Sequence, residues 1–223
     1  MNMHFFLRSV RLFILGAIVF FVTASCSQLS YNVPPASVHL PPASISDVII
    51  SKDFNPHERQ AIIDGLNMWK KSANGSVQWH MVTKYSQEYY NDLGTKYLGR
   101  CVNVVEFELA TSLDPRVIKI EKQLNNIILG VTIQDKPCTL TRILLVVDMM
   151  QNDVETKLVA AHEFGHSMGL SHVTNNKFAI MTPALSMFRS PGCITRSDME
   201  AFCELYGCTV SQTYYCNTTW RVQ

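Results

Sequence analysis

Hydrophobic residues recur along this chain with two different periods, and the switches between them outline the elements. After an apolar run at residues 12–22, the first clear signal is Val48-Ile49-Ile50, a short strand. Asn55 then stands as an N-cap, with Pro56 at the first helical position and Glu58 three residues past the cap. A helix follows to about Lys71, because Ile62, Leu66 and Trp69 recur at helical spacing, and Asn74-Gly75 ends it. Trp69 is expected in the core. Residues 77–82 alternate as a strand, and 102–109 do so more strongly; 85–100 carry no readable pattern. Residues 114–126 read as a short helix begun by Pro115, and 127–133 and 143–147 as further strands. Asn152, with Glu155 three residues on, caps another helix whose Leu158, Ala161, Gly165 and Met168 turn inward. Strands and helices in this order describe an α/β (α+β) domain with a mixed sheet.

That last helix carries the candidate chemistry. Residues 162–172 read HEFGHSMGLSH. His162 and His166 are four apart, so a helix projects both from one face, about one turn from each other. Gly169 can leave the helix at positive φ, and the turn brings His172 back as a third ligand. Three imidazoles in this arrangement suit one Zn²⁺ ion. Glu163, beside the first ligand, suits a general base for a metal-activated water. Asn175, Asn176 and Lys177 form a short polar loop, and Met181 follows in the run Ala179-Ile180-Met181-Thr182-Pro183.

On these residues the sequence resembles the metzincin metallopeptidases, and within them the matrixin-like branch. The likeness includes Val159-Ala160-Ala161 before the motif, Met181 to Pro183 after it, and a closing segment, residues 195–207, containing Asp198 and ending Leu205-Tyr206-Gly207. It implies a zinc-dependent endopeptidase with a mostly parallel, twisted sheet, an active-site helix and a smaller irregular C-terminal subdomain. It also implies His162, His166 and His172 as ligands, Glu163 as catalytic base and Met181 as the Met-turn residue. Pro183 and Leu185 are implied along the substrate pocket. The chain departs from the family pattern at Val173, where a small hydroxyl residue is usual, and at Ser197-Asp198, where two aspartates are common. His39, His57 and His80 are too scattered for a second, structural zinc, and there is no Pro-Arg-Cys-Gly latency motif. Calcium is common in relatives, but Asp114, Asp135 and Asp148 are too dispersed to support it. Two other readings stand: an envelope lipoprotein that binds zinc without proteolysis, and a zinc hydrolase of cell-wall peptides.

Composition changes the picture in two respects. With 223 residues, 47% of them hydrophobic and 17% charged, the chain fits one domain plus a leader, and a net charge of +1 gives no basic field, so no nucleic-acid partner is expected. A monomer acting on protein or peptide is expected. The leader has Arg8 and Arg11 ahead of its apolar run, then Thr23-Ala24-Ser25 and Cys26. It resembles a bacterial lipoprotein signal. Residues 1–25 would be the signal peptide, 26–46 a lipid-anchored Pro-rich tether and 47–223 the catalytic domain, at the outer membrane or cell surface. A secreted soluble product, a retained signal anchor, and Cys26 as a latency thiolate on the zinc are the alternatives. Removing Cys26 leaves Cys101, Cys138, Cys193, Cys203, Cys208 and Cys216, an even six that suits disulfides in an exported chain. Of fifteen possible pairings, Cys101 with Cys138 and the last four among themselves is the favoured arrangement.

Overall fold

The computed structural model describes residues 44–83, 103–134, 140–183, 193–213 and 215–216. Its sheet has five strands: β1 (Ser44–Ile50), β2 (Val77–Met81), β3 (Asn103–Ala110), β4 (Gly130–Gln134) and β5 (Leu140–Val146). Their order is β2-β1-β3-β5-β4. The first four in that order run parallel, and β4 pairs antiparallel with β5 at one edge. The mixed, mostly parallel α/β sheet expected from the sequence is therefore observed. β1 begins earlier than its apolar core, taking in Ser44 to Ser46 from the span that reads as tether. Pairing explains this, since Ser44 to Ser46 lie opposite Val77 to Trp79 on β2. β4 begins three residues later than the 127–133 pattern, while Ile128 and Leu129 before it are buried.

The described residues form four α-helices: α1 (Pro56–Ser72), α2 (Pro115–Leu124), α3 (Asp153–Ser167) and α4 (Arg196–Tyr206). Alternation along the strands decides which helix each residue meets. Val105, Phe107, Ile143 and Leu145 join a core with α1 and α3, while Val131, Leu144 and Val146 face α2 through Val117 and Ile120. The local signals hold. Asn55 and Glu58 form a reciprocal capping box, and Asn74 and Gly75 both take positive φ after α1. Asn152 accepts from the Glu155 N–H, but the Glu155 carboxylate takes the Gln151 N–H instead of closing a box.

α1 and α3 cross closely because Gly65 lacks a side chain. A Cβ there would lie 2.6 Å from the Lys157 carbonyl oxygen. Trp69, one turn on and fully buried, donates its indole N–H to Ala161 O at 2.8 Å. Trp69 is thus the core residue its spacing predicts, and it also ties α1 to the helix that carries the histidines. Leu158, Ala161, Gly165 and Met168 are buried as expected; so is every other residue from 158 to 168. Beyond His172 the described residues contain α4 and short turns, the smaller irregular part. Two disulfides fasten it, Cys193–Cys216 and Cys203–Cys208, so the last four cysteines pair among themselves. Cys26, Cys101, Cys138 and the leader lie outside the described residues. No described helix is long and apolar enough to cross a membrane.

Candidate metal centre

α3 places His162 and His166 one turn apart, and what ends the helix places His172. Gly169 has φ 89°, and two hydrogen bonds close the turn around it: Gly169 N–H to His166 O at 2.9 Å and Leu170 N–H to Gly165 O at 3.1 Å. This paired pattern is a Schellman stop. It reverses the chain so that Leu170 is buried and His172 returns over the last turn of α3. His166 Nε2 lies 3.0 Å from His162 Nε2 and 3.2 Å from His172 Nε2, and the three ligand atoms all fall within 4.8 Å of one another. Among the described residues this is the one group of three or more His, Cys, Asp or Glu so gathered. Of the scattered aspartates, Asp114 accepts from Arg116 and Asp148 from Ser112, while Asp135 lies outside the described residues.

The backbone sets which ring nitrogen of each helical histidine is protonated. His162 Nδ1–H donates to Ile180 O at 2.6 Å, and His166 Nδ1–H donates to Leu170 O at 2.8 Å. Both Nε2 atoms are then left as lone pairs pointing at each other. Burial pushes the His162 ring well below its usual pKa, reinforced by the neighbouring His166, and pushes His166 down to about 4. Both are neutral at pH 7, the form that binds a metal. Facing lone pairs repel unless a cation lies between them. Nitrogens ~2.0–2.1 Å from a tetrahedral zinc sit about 3.3 Å apart, close to the 3.0 and 3.2 Å that separate His166 Nε2 from the other two. Glu163, adjacent to the first histidine, is fully buried beside this cluster.

A sequence profile of the matrixin family matches residues 46–207, well over half of the chain. The chain belongs to the matrixin family. Two similar solved structures are an archaemetzincin from Methanopyrus kandleri and high choriolytic enzyme 1, a hatching-enzyme zinc protease from the medaka Oryzias latipes. The first is 13% identical with a TM-score of 0.43, covering 74% of this chain and 96% of that one. The second is 10% identical with a TM-score of 0.42, covering 75% and 92%. No curated protein matches the chain. Family membership makes this a zinc metallopeptidase whose substrates are proteins or peptides.

In this matrixin the segment after His172 is tied under the cluster. Met181 is fully buried, and its sulfur occupies the space where a side chain on Gly165 would begin. The Val173 N–H donates to Met181 O at 2.8 Å, so Val173 serves through its backbone. Asp198, from the first turn of α4, anchors the same segment. Its Oδ2 accepts from Ile180 N at 2.9 Å, Thr195 N at 2.8 Å and Thr195 Oγ1 at 2.7 Å; its Oδ1 accepts from Met181 N at 2.9 Å. Because Ile180 O in turn holds His162, the buried aspartate acts on the first histidine through one peptide unit. Burial pushes the Asp198 carboxyl up, against hydrogen bonds that favour its ionised form. Ser197, at the family's first aspartate position, accepts from Asn176 Nδ2 at 3.2 Å.

Pro183 closes this described stretch, and Leu185 lies outside the described residues. Thr132 is a contact that the sequence reading missed. It reaches across from β4 to place Oγ1 2.6 Å from Glu163 Oε2. Nothing in the sequence flags a threonine 31 positions before the glutamate it meets.

Proposed function

We propose that this matrixin is a zinc-dependent endopeptidase in which His162, His166 and His172 hold one zinc ion and Glu163 is the general base. The observation that carries this reading is the convergence of three Nε2 atoms, two of them held neutral and aimed by backbone carbonyls. A zinc ion bound there would acidify water and polarise a peptide carbonyl. Glu163 accepts the proton released as water oxygen bonds to the carbonyl carbon. It then delivers that proton to the departing amine nitrogen as the carbon–nitrogen bond breaks. An extended substrate would lie along β4, the edge strand of the described sheet, with Pro183 and Leu185 along the pocket beyond the scissile bond. The same reading puts the enzyme outside the cytoplasm, on a lipid anchor at Cys26, with one catalytic zinc.

The decisive variant is Glu163→Ala. It is expected to keep stoichiometric zinc while losing cleavage by about 10²-fold or more, measured with a mixed peptide library with and without chelator. Full cleavage by zinc-loaded Glu163→Ala removes the proposed base.

A further inference from the structure

We infer that Thr132 is a positioning residue for Glu163: its hydroxyl holds one carboxylate oxygen and so aims the base from the edge strand. This rests on the reading of Glu163 as the base and deepens it.

The geometry is specific. Thr132 Oγ1 lies 2.6 Å from Glu163 Oε2 and 2.9 Å from Glu163 O, and both side chains are buried. The shorter contact is in the range of a hydroxyl donating to an ionised carboxylate, the stronger kind of hydrogen bond. A carboxylate turns easily about its last side-chain torsion, with two equivalent orientations. One donor on Oε2 removes that freedom and fixes the plane of the group. With Oε2 engaged, Oε1 is the oxygen that exchanges the proton.

The strand is built to make this contact. Gly130 and Thr132 are two apart, so they share the face of β4 that meets α3. At Gly130 a Cβ would sit 2.9 Å from Glu163 Cγ and 2.7 Å from Val159 Cγ1. The missing side chain lets β4 close onto the stem of Glu163, and two residues later Thr132 holds its head. Thr132 also pairs with Ile143 on β5, so its backbone is fixed by the sheet. The element that would seat the substrate therefore also sets the direction of the base. A displaced base loses rate without losing substrate affinity, because proton transfer depends on alignment to within a fraction of an ångström.

Thr132→Val keeps shape and removes the hydroxyl; Thr132→Ser keeps the hydroxyl and removes the methyl. Each is assayed as zinc-loaded full chain on one quenched fluorescent peptide chosen from the library, alongside Glu163→Ala. The expected result for Thr132→Val is a kcat lowered by roughly 10- to 100-fold with KM changed less than about 2-fold. Thr132→Ser is expected to regain most of the rate, and zinc affinity, measured by chelator competition, to stay as in the parent for both. If Thr132→Val does not fold, Thr132→Ala against Thr132→Ser makes the same comparison. The inference is overturned by full kcat in Thr132→Val, by a rise in KM alone, by equal loss in the serine variant, or by a parallel fall in zinc affinity. If Glu163→Ala is itself active, the base assignment has failed. If Glu163→Ala is inactive while Thr132→Val keeps full kcat, only the role of Thr132 has failed.

Discussion

Asp198→Asn tests whether the metal site depends on a buried anchor that touches no histidine. The asparagine carbonyl can take the place of Oδ2 and keep the three donors Ile180 N, Thr195 N and Thr195 Oγ1. Its NH₂ group then faces the Met181 N–H, donor against donor, at the site of a 2.9 Å bond. An orphaned buried amide costs about 1–3 kcal/mol, and loss of the charge weakens each remaining bond by roughly 0.5–1 kcal/mol. Part of this is offset, because burial already disfavours the ionised carboxyl. The net expectation is about 2–4 kcal/mol, or roughly 5–15 °C in unfolding temperature for a chain of this size. Zinc affinity is expected to fall about 10- to 100-fold, since Ile180 O orients His162. Thermal unfolding of the zinc-free protein and chelator competition measure the two effects. Unchanged unfolding temperature together with unchanged zinc affinity would refute the anchoring argument. Loss of stability with full zinc affinity would refute the link from Asp198 through Ile180 to His162.

Two further outcomes follow from the same geometry. The folded, zinc-free chain holds His166 down to about 4, against 6.5 for a free imidazole. Between those values the unfolded chain binds a proton that the folded chain does not. Stability is therefore complete above about pH 6.5 and falls as pH drops towards about 4, by ~3 kcal/mol for this residue. Denaturant midpoints that stay flat over that interval would contradict it. Gly169→Ala forces a side chain into φ 89° and to 3.3 Å from Leu205 Cδ2. It is expected to cost about 1–2 kcal/mol in a denaturant series, and to weaken zinc by shifting His172. Equal stability and affinity in that variant would show that the turn tolerates another backbone path.

Much of the site was legible because its signals are local. The four-residue step from His162 to His166 is a property of any helix. The glycine stop after it needs only the αL conformation that Gly169 adopts. The caps at Asn55 and Asn152 are equally short-range, and each begins its helix where the sequence puts it. Strand existence was legible from alternation, but extents were not. Ser44 to Ser46 become strand because β2 offers them partners, and a single Ile45 between serines is too short a signal to announce it.

What the sequence by itself determined was the trio of histidines and their spacing, the helix that carries two of them and the class of fold. Tertiary structure alone decided that β4 lies antiparallel at the sheet edge and that Cys193 joins Cys216 while Cys203 joins Cys208. It also decided that Thr132 and Asp198 brace the site from 31 and 18 positions away. The reason is physical. Helix periodicity and turn chemistry act over three or four residues and leave their mark on neighbours. A hydrogen bond between distant segments depends on how whole elements pack, and the lone threonine or aspartate that makes it looks like any other.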